Sequence, residues 1–338
     1  MHLLYYHQNC ADGFAALCIA HAALLAQGVT PDEIRCRPIQ YGWPAQIPDL
    51  SAEAWFVDDH IWYLDYTPPA DQLASLVADL ATWNNTIKLT IIDHHEKMAP
   101  LHGYKLNPDN KLFAHKFSAP PFESVFAFIK SGASLTWEYF HTGTMPAAVA
   151  LIARRDLGHA WQDTDDPAEA ALNRQALDLH AYLFRLLPRT LEAWSPIIHG
   201  QTGLTACLSN GQRLRDADAA IIAHAARHCH WLDIKRLIRH TGAIPEGLDR
   251  IPAVNGLGPE MVSDACQMLL STYPDAPFAA SWWTDAKTGR TTYSLRSRKP
   301  GHPNGHTNVN LVAQMCDPGG GGHPCAAGFS TTQPVPLV

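Results

Sequence analysis

Five short stretches carry side chains able to bind divalent cations or phosphate. In His7-Gln-Asn-Cys10-Ala-Asp12-Gly13, an imidazole, a thiol and a carboxylate fall within six residues. Taken alone, the signal is weak, because a His and an Asp in a loop are more often capping or solvated groups. In Ile91-Ile92-Asp93-His94-His95, an apolar run leads straight into three polar groups that could not be buried without partners. Asp65 closes Tyr63-Leu64-Asp65, and Asp156 closes the helix-like Ile152-Ala-Arg-Arg-Asp156. Near the end of the chain, Arg296-Ser297-Arg298 precedes Gly319-Gly320-Gly321-Gly322-His323. Glycines let a ligand approach the backbone, their amides can receive phosphate oxygens, and arginines add charge-assisted bonds. Each Asp is unremarkable by itself, and glycines alone make a turn. The set is another matter, because two divalent cations about 3.5–4 Å apart need several carboxylates and imidazoles, one carboxylate serving both.

These residues sit where a recurring strand, turn and helix grammar would place them. HLLYYH is strand-like, NCADG breaks it, and the Ala-rich run from Phe14 to Ala26 reads as a helix. Trp62–Asp65 followed by TPP and ADQLASLVADLATW repeats the pattern, as does Ile87–Asp93 followed by HHEK. Strands alternating with helices predict a parallel sheet, whose ligand site lies at the carboxyl ends of the strands. His7, Asp65 and Asp93-His94-His95 are therefore expected to converge. Further helices are predicted over Ala133–Phe140, Ala147–Arg155 and Pro167–Leu187.

Beyond Leu187 the pattern changes. The stretch SPIIHGQTG reads as a connector leading to an amphipathic helix over Gly211–Trp231. Strand-like runs follow at Arg250–Val254, Phe278–Trp283 and Thr291–Arg296, with a helix over Met261–Thr272. The expected organisation is an α/β catalytic domain over 1–190, a linker and connecting helix over 191–231, and a smaller α/β domain over 232–338.

Composition narrows the function classes. With 46% hydrophobic and 17% charged residues in 338, the chain can bury ample apolar surface for two domains. No apolar run approaches the ~18 residues of a membrane span, and no signal-peptide pattern opens the chain, so a cytoplasmic protein is expected. Eight scattered cysteines without a CxxC pair read as reduced thiols. A formal charge of −7 argues against long nucleic acid as the partner, since counterion release needs a broad basic surface. His224, His228, His230 and His240 lie in or beside a helical pattern and read as surface or packing residues.

In order and type, His7…Cys10-x-Asp12-Gly13, Asp65, Asp93-His94-His95 and Asp156 resemble the four motifs of DHH phosphoesterases. The tail YSLRSR…GGGGHPCAAGF resembles the DHH-associated domain of the first type, found in nanoRNases and phosphatases of 3′-phosphoadenosine 5′-phosphate. The resemblance implies a parallel-sheet DHH domain, a smaller C-terminal α/β domain, and an active site in the cleft between them. It implies two divalent cations, usually manganese, with His7 and Asp65 on one and Asp12, Asp65, His94 and Asp156 on the other. His95 would face the scissile phosphate while Asp93 holds the histidine pair. A water losing its proton between the cations would attack phosphorus in line with the leaving oxygen. Arg296, Ser297, Arg298, Gly320, Gly321, Gly322 and His323 would grip the rest of the substrate.

One departure stands out. Most members carry an Asp where this chain has Cys10, and a softer ligand there admits iron, cobalt or zinc. The implied substrates are small nucleotides or short oligonucleotides: nanoRNA, linear or cyclic dinucleotides, or 3′-phosphoadenosine 5′-phosphate. A RecJ-type single-strand exonuclease would need a further strand-binding domain and a basic channel, and the inorganic pyrophosphatase branch lacks GGGGH. The reading from another class is a nucleotide sensor of the same fold, weakened as a catalyst by Cys10.

Overall fold

The computed structural model describes residues 1–41, 59–82, 87–102, 114–119, 122–162, 164–239 and 246–338. The chain divides into two compact units, Met1–Arg215 and Asp216–Val338.

In the first unit the described elements are β1 (His2–His7), α1 (Ala11–Ala26), β2 (Ile34–Ile39), β3 (His60–Leu64), α2 (Ala70–Thr82), β4 (Lys88–Asp93), β5 (Ala114–Ala119), β6 (Phe122–Ala127), α3 (Gly132–Phe140), α4 (Ala147–Asp156), α5 (Pro167–Arg185) and α6 (Leu191–Ile198). Helix α7 (Leu204–Arg227) begins here and ends in the second unit. The sheet order is β2-β1-β3-β4-β6-β5, parallel from β2 through β6, with β5 antiparallel at the edge.

Period-two alternation gives this sheet two apolar faces. Leu4, Trp62, Leu64 and Ile92 pack into one core with α1, α3, α4, α5 and α6. Their neighbours Leu3, Ile61, Tyr63 and Ile91 point the other way, into a core closed by Leu73, Leu76 and Leu80 of α2. Those three leucines recur at helical spacing, so one stripe of α2 is buried and the rest faces out. Helix α1 is buried along most of its length, and its alanines let it lie close to the sheet. Because β1 is followed by β2 on one side and β3 lies on the other, the strand order reverses there, and in open parallel sheets ligands bind outside the carboxyl ends of the strands at such a point.

Besides β5 and β6, which the sequence did not signal, two features of this unit differ from the expectation. Strand β2, IRCRPI, was not foreseen: Arg35, Arg37 and Pro38 suit an edge strand but break an apolar run. The SPII segment, read as connector, forms the end of α6. Its Ser and Pro look like breakers, yet Thr190 caps the helix by accepting from the Ala193 amide. Trp194, Ile197 and Ile198, at helical spacing, are buried in the first core.

The second unit adds β7 (His230–Leu232), β8 (Ile251–Asn255), α8 (Val262–Thr272), β9 (Ala279–Thr284), β10 (Thr291–Arg296), α9 (Val309–Cys316), β11 (Gly321–His323) and β12 (Ala326–Thr331). Its sheet runs β11-β12-β10-β9-β8-β7, with β8 and β9 parallel and the other pairs antiparallel. One face packs on Val309, Val312, Ala313 and Cys316 of α9, the other on α8 and the end of α7. Helix α9 was not predicted. It is short and depends on Asn308, whose side chain caps the Asn310 and Leu311 amides. Among the described residues, no helix is long and apolar enough to cross a membrane.

Candidate metal centre

The carboxyl ends of β1, β3 and β4 bring His7, Asp65 and Asp93-His94-His95 together, as their strand ends predict. Asp12 joins them from the first turn of α1 and Asp156 from the last residue of α4. Two close approaches make this possible. A methyl at Gly13 would lie 2.4 Å from the His7 carbonyl oxygen, so glycine lets α1 start against the end of β1. A methyl at Gly132 would lie 2.6 Å from Asp65 Cβ, so glycine also lets α3 start against Asp65. Asp65 itself has φ 57°, a left-handed backbone that costs about 1–3 kcal/mol for most residues and that Asp tolerates better.

Asp65 sits at the middle of the cluster and is fully buried. Its Oδ2 lies 3.3 Å from His7 Nδ1, and its Oδ1 3.2 Å from His94 Nε2. His94 Nε2 is also 3.2 Å from Asp156 Oδ2 and 3.9 Å from Asp12 Oδ2. Cys10 Sγ stands 3.8 Å from Asp156 Oδ1. Asp12 Oδ1 accepts from the Ala133 amide at the start of α3, at 3.2 Å. His95 turns its Nδ1 onto Asp93 Oδ1 at 2.7 Å.

Three overlapping sets of potential ligands result: His7, Cys10 and Asp65; Asp65, His94 and His95; Asp12, His94 and Asp156, each with its donor atoms within 4.8 Å of one another. Asp65 and His94 each occur in two sets. Such sharing suits two nearby cations better than one. His95 could contribute only through Nε2, since Nδ1 is held by Asp93.

The electrostatics ask for positive charge. Burial pushes the Asp12 carboxyl well above its ordinary range, and the charges of Asp156 and Asp65 add to this. Asp156 is raised as well, again chiefly by burial. Burial also works against ionised Asp65, but hydrogen bonds from His7 and His94 hold its carboxyl below the usual range. Burial would lower His94, yet Asp65, Asp156 and Asp12 outweigh it and hold the imidazole up at about 10. The His94 imidazolium thus stands in for a cation among three acids. Burial and the same acids push the Cys10 thiol well up. Asp12 Oδ2 is buried without a hydrogen-bond partner, and Asp65 Oδ1 is buried with the His94 imidazole 3.2 Å away. An orphaned carboxylate oxygen is costly in a folded protein, and here it fits a divalent cation held by carboxylate and imidazole, with a thiol at the margin.

The residues singled out in the second unit behave differently. Arg298 is 5% exposed, and its guanidinium donates to the carbonyls of Ala276 at 2.6 Å and Leu270 at 2.8 Å, reaching Tyr273 at 3.4 Å. It ties down the end of α8 and the following turn, with these donors engaged by the protein's own carbonyls. Ser297 is buried, and its hydroxyl faces backbone carbonyls. The glycine amides are also largely committed: Gly320 donates to the Asp317 carbonyl and Gly322 to Asn310 Oδ1. A methyl at Gly320 or Gly322 would lie 2.5 Å from the Ala313 carbonyl or 2.4 Å from that of Ala326. These two glycines serve close packing. Gly321 forms the hairpin with β12, where it pairs with Gly328. Arg296 is half-buried and bonds Ser263 Oγ at 3.2 Å, while His323 is exposed.

Sequence reasoning missed what stands behind the centre. Thr67 donates to Asp93 Oδ2, His102 Nε2 lies 2.9 Å from Thr67 Oγ1, and Ser124 hydrogen-bonds His102 Nδ1. It also missed Arg189, which donates to Asn9 Oδ1 at 2.6 Å, although its position after Pro188 in a turn offers no signal of that contact. His224 and His228 pair with ring centroids 4.7 Å apart and join none of the ligand sets among the described residues. His240 lies outside those residues.

By sequence, the chain matches no family profile and no curated relative. Solved structures are similar in fold. The DHH domain of a member of a ribosomal-protein family superposes with a TM-score of 0.52 at 12% identity, over 99% of this chain and 82% of that one. Looser likenesses include RecJ of Thermus thermophilus in complex with Mn2+, with TM-score 0.45, 16% identity, and coverage of 98% of this chain and 49% of that one. A pGpG-specific phosphodiesterase, PggH, from Vibrio gives TM-score 0.42 at 14% identity, over 97% and 92% of the two chains.

Proposed function

The chain has the fold of the DHH family, and from that premise we propose that it is a metal-dependent phosphoesterase acting on small nucleotides or short oligonucleotides. The observation that carries this reading is the buried Asp65 carboxylate, placed where two ligand sets meet, with the partnerless Asp12 Oδ2 in the adjoining set. His7 and Asp65, with Cys10 beside them, would hold one divalent cation, and Asp65, His94, Asp12 and Asp156 the other. Manganese suits the carboxylate and imidazole donors, and Cys10 admits iron, cobalt or zinc. When bound, such cations supply Lewis-acid polarisation and neutralise charge on phosphoryl groups.

The side chains do the rest. Asp65, held at its two oxygens by His7 and His94, would be the ligand common to both cations. His95, anchored at Nδ1 by Asp93, offers Nε2 to a phosphoryl oxygen, where positive charge offsets the charge that grows in the transition state. Arg296 and His323 of the second unit are the groups suited to the substrate's remaining phosphate, with Arg298 and Ser297 serving the fold. The acidic overall charge fits a small substrate better than a long strand.

The test is hydrolysis of a panel comprising pApA, linear and cyclic dinucleotides, cyclic mononucleotides and 3′-phosphoadenosine 5′-phosphate, with Mn2+, Mg2+, Co2+, Fe2+ or Zn2+. Release of mononucleotide or phosphate that stops on chelation is expected. A protein that binds two cations yet turns over none of the panel would sink the enzymatic reading and favour a nucleotide sensor.

A further inference from the structure

We propose that Ser124, His102 and Thr67 form a directional hydrogen-bond chain that fixes Asp93, and through it the orientation of His95. Thr67 and His102 are then positioning residues for the phosphate-facing imidazole. The inference rests on the reading of His95 given above.

The direction follows from counting protons. Asp93 is fully buried, and its Oδ1 takes three N–H groups: the His94 amide at 2.7 Å, the His95 amide at 3.2 Å and His95 Nδ1 at 2.7 Å. Three donors on one oxygen favour the carboxylate form, which only accepts. On Oδ2 the partner is the Thr67 hydroxyl, which must therefore donate. A hydroxyl has a single proton, so towards His102 Nε2, 2.9 Å away, Thr67 can only accept. His102 thus carries its hydrogen on Nε2. Its ring is 4% exposed, and burial holds its pKa down at about 4, which leaves Nδ1 to accept from the Ser124 hydroxyl. Phe126 stacks on the ring, with centroids 4.5 Å apart at 27°, and fixes its plane.

Every donor in the chain points from Ser124 towards Asp93. The groups come from β6, from the short helical turn Glu96–His102 after β4, and from the segment after β3, so the chain ties three parallel strands together behind the centre. Asp93 cannot rotate without breaking bonds on both oxygens. His95, 31% exposed and held at Nδ1, is left with Nε2 as its free nitrogen. None of the three residues lies in a motif that marks the centre in the sequence.

Two arms test this on the full-length protein. In magnesium-loaded, 15N-histidine-labelled protein, the Nδ1 proton of His95, assigned by its loss in His95→Gln, is expected downfield, and Thr67→Val should shift it or lose it to exchange. In turnover, Thr67→Val and His102→Phe should lower kcat about ten- to a hundredfold, with KM and bound metal per chain unchanged. Thr67→Ser should restore both readouts, and His102→Gln, whose amide can donate to Thr67, should retain more activity than His102→Phe. Thr67→Val nearly conserves shape, so it decides the matter if His102→Phe fails to fold. An unchanged His95 proton and kcat in Thr67→Val, or a fall in kcat seen only with loss of metal, overturns the chain. A wild-type protein inactive on every substrate would overturn the proposed function, while the His95 proton would still decide the positioning.

Discussion

As sequence, the strand ends of the first unit and the glycine-rich hairpin of the C-terminal unit are alike: both juxtapose polar groups with small residues. In the structure they are opposites. At the strand ends, Asp12 Oδ2 is buried without a partner, and Asp12, Asp65 and Asp156 crowd the imidazole of His94. In the C-terminal unit, Arg298, Gly320 and Gly322 have their donors taken by the protein's own acceptors. An unsatisfied buried group is costly and persists where a ligand satisfies it, whereas a satisfied one is part of the scaffold. The distinction separates site from fold better than residue type does.

Asp65→Ala challenges the contrast most severely. It removes the carboxylate common to two ligand sets, so hydrolysis should fall below detection and both metals should be lost by elemental analysis, with the unfolding transition retained. Two metals still bound tightly would place the shared ligand elsewhere. Arg298→Ala probes the other region. Loss of charged hydrogen bonds to buried carbonyls should cost about 3 kcal/mol of stability in denaturant unfolding, with metal content unchanged. By contrast Arg296→Ala, which gives up bonds to Ser263 Oγ and the Leu295 carbonyl, should cost less stability than Arg298→Ala and raise KM for a dinucleotide roughly tenfold, the equivalent of about 1.4 kcal/mol. If Arg298→Ala changed KM and not stability, the assignment of scaffold and site would be reversed.

A fourth prediction compares histidines within the first unit. His60 bonds Thr90 at 2.8 Å and stacks on Trp62, and burial pushes it down to about 3; His180 is likewise pushed down to about 3. Both favour the neutral ring, so their contribution is complete above the unfolded value of about 6.5 and is lost as pH falls from there towards 3. Denaturant midpoints of the protein should drop across that window, by up to about 1.4 kcal/mol per pH unit for each histidine, and His60→Gln should flatten the slope. The smallest effect is expected of Cys10→Asp. Replacing a sulfur by a hard oxygen should move metal preference towards manganese with activity held or raised. An unchanged profile across manganese, cobalt, iron and zinc would make Cys10 a bystander.

What could be read from the sequence follows the same division. His7, Asp65 and Asp93-His94-His95 were legible because apolar strands ended on them, and a parallel sheet gathers strand ends. Asp12 and Asp156 emerged only as parts of a set. Thr67, His102 and Ser124 gave no signal, being ordinary polar residues that meet only when three strands align. Strand β2 hid behind its arginines, and α9 behind its brevity. Arg298 misled because an arginine beside glycines suggests phosphate, while its contacts to Leu270 and Ala276 depend on where α8 ends.

The left-handed backbone of Asp65, pressed by the bare Cα of Gly132, has a kinetic corollary. Hydrogen-bonding contacts from His7 and His94 already hold its carboxylate, so metal entry there should ask for little chain motion. The rate at which one cation replaces another should then follow how readily each sheds its hydration water, with Mg2+ the slowest to enter. Relaxing the constraint would show as exchange rates that converge across the ions, because chain motion would become the slow step for all of them.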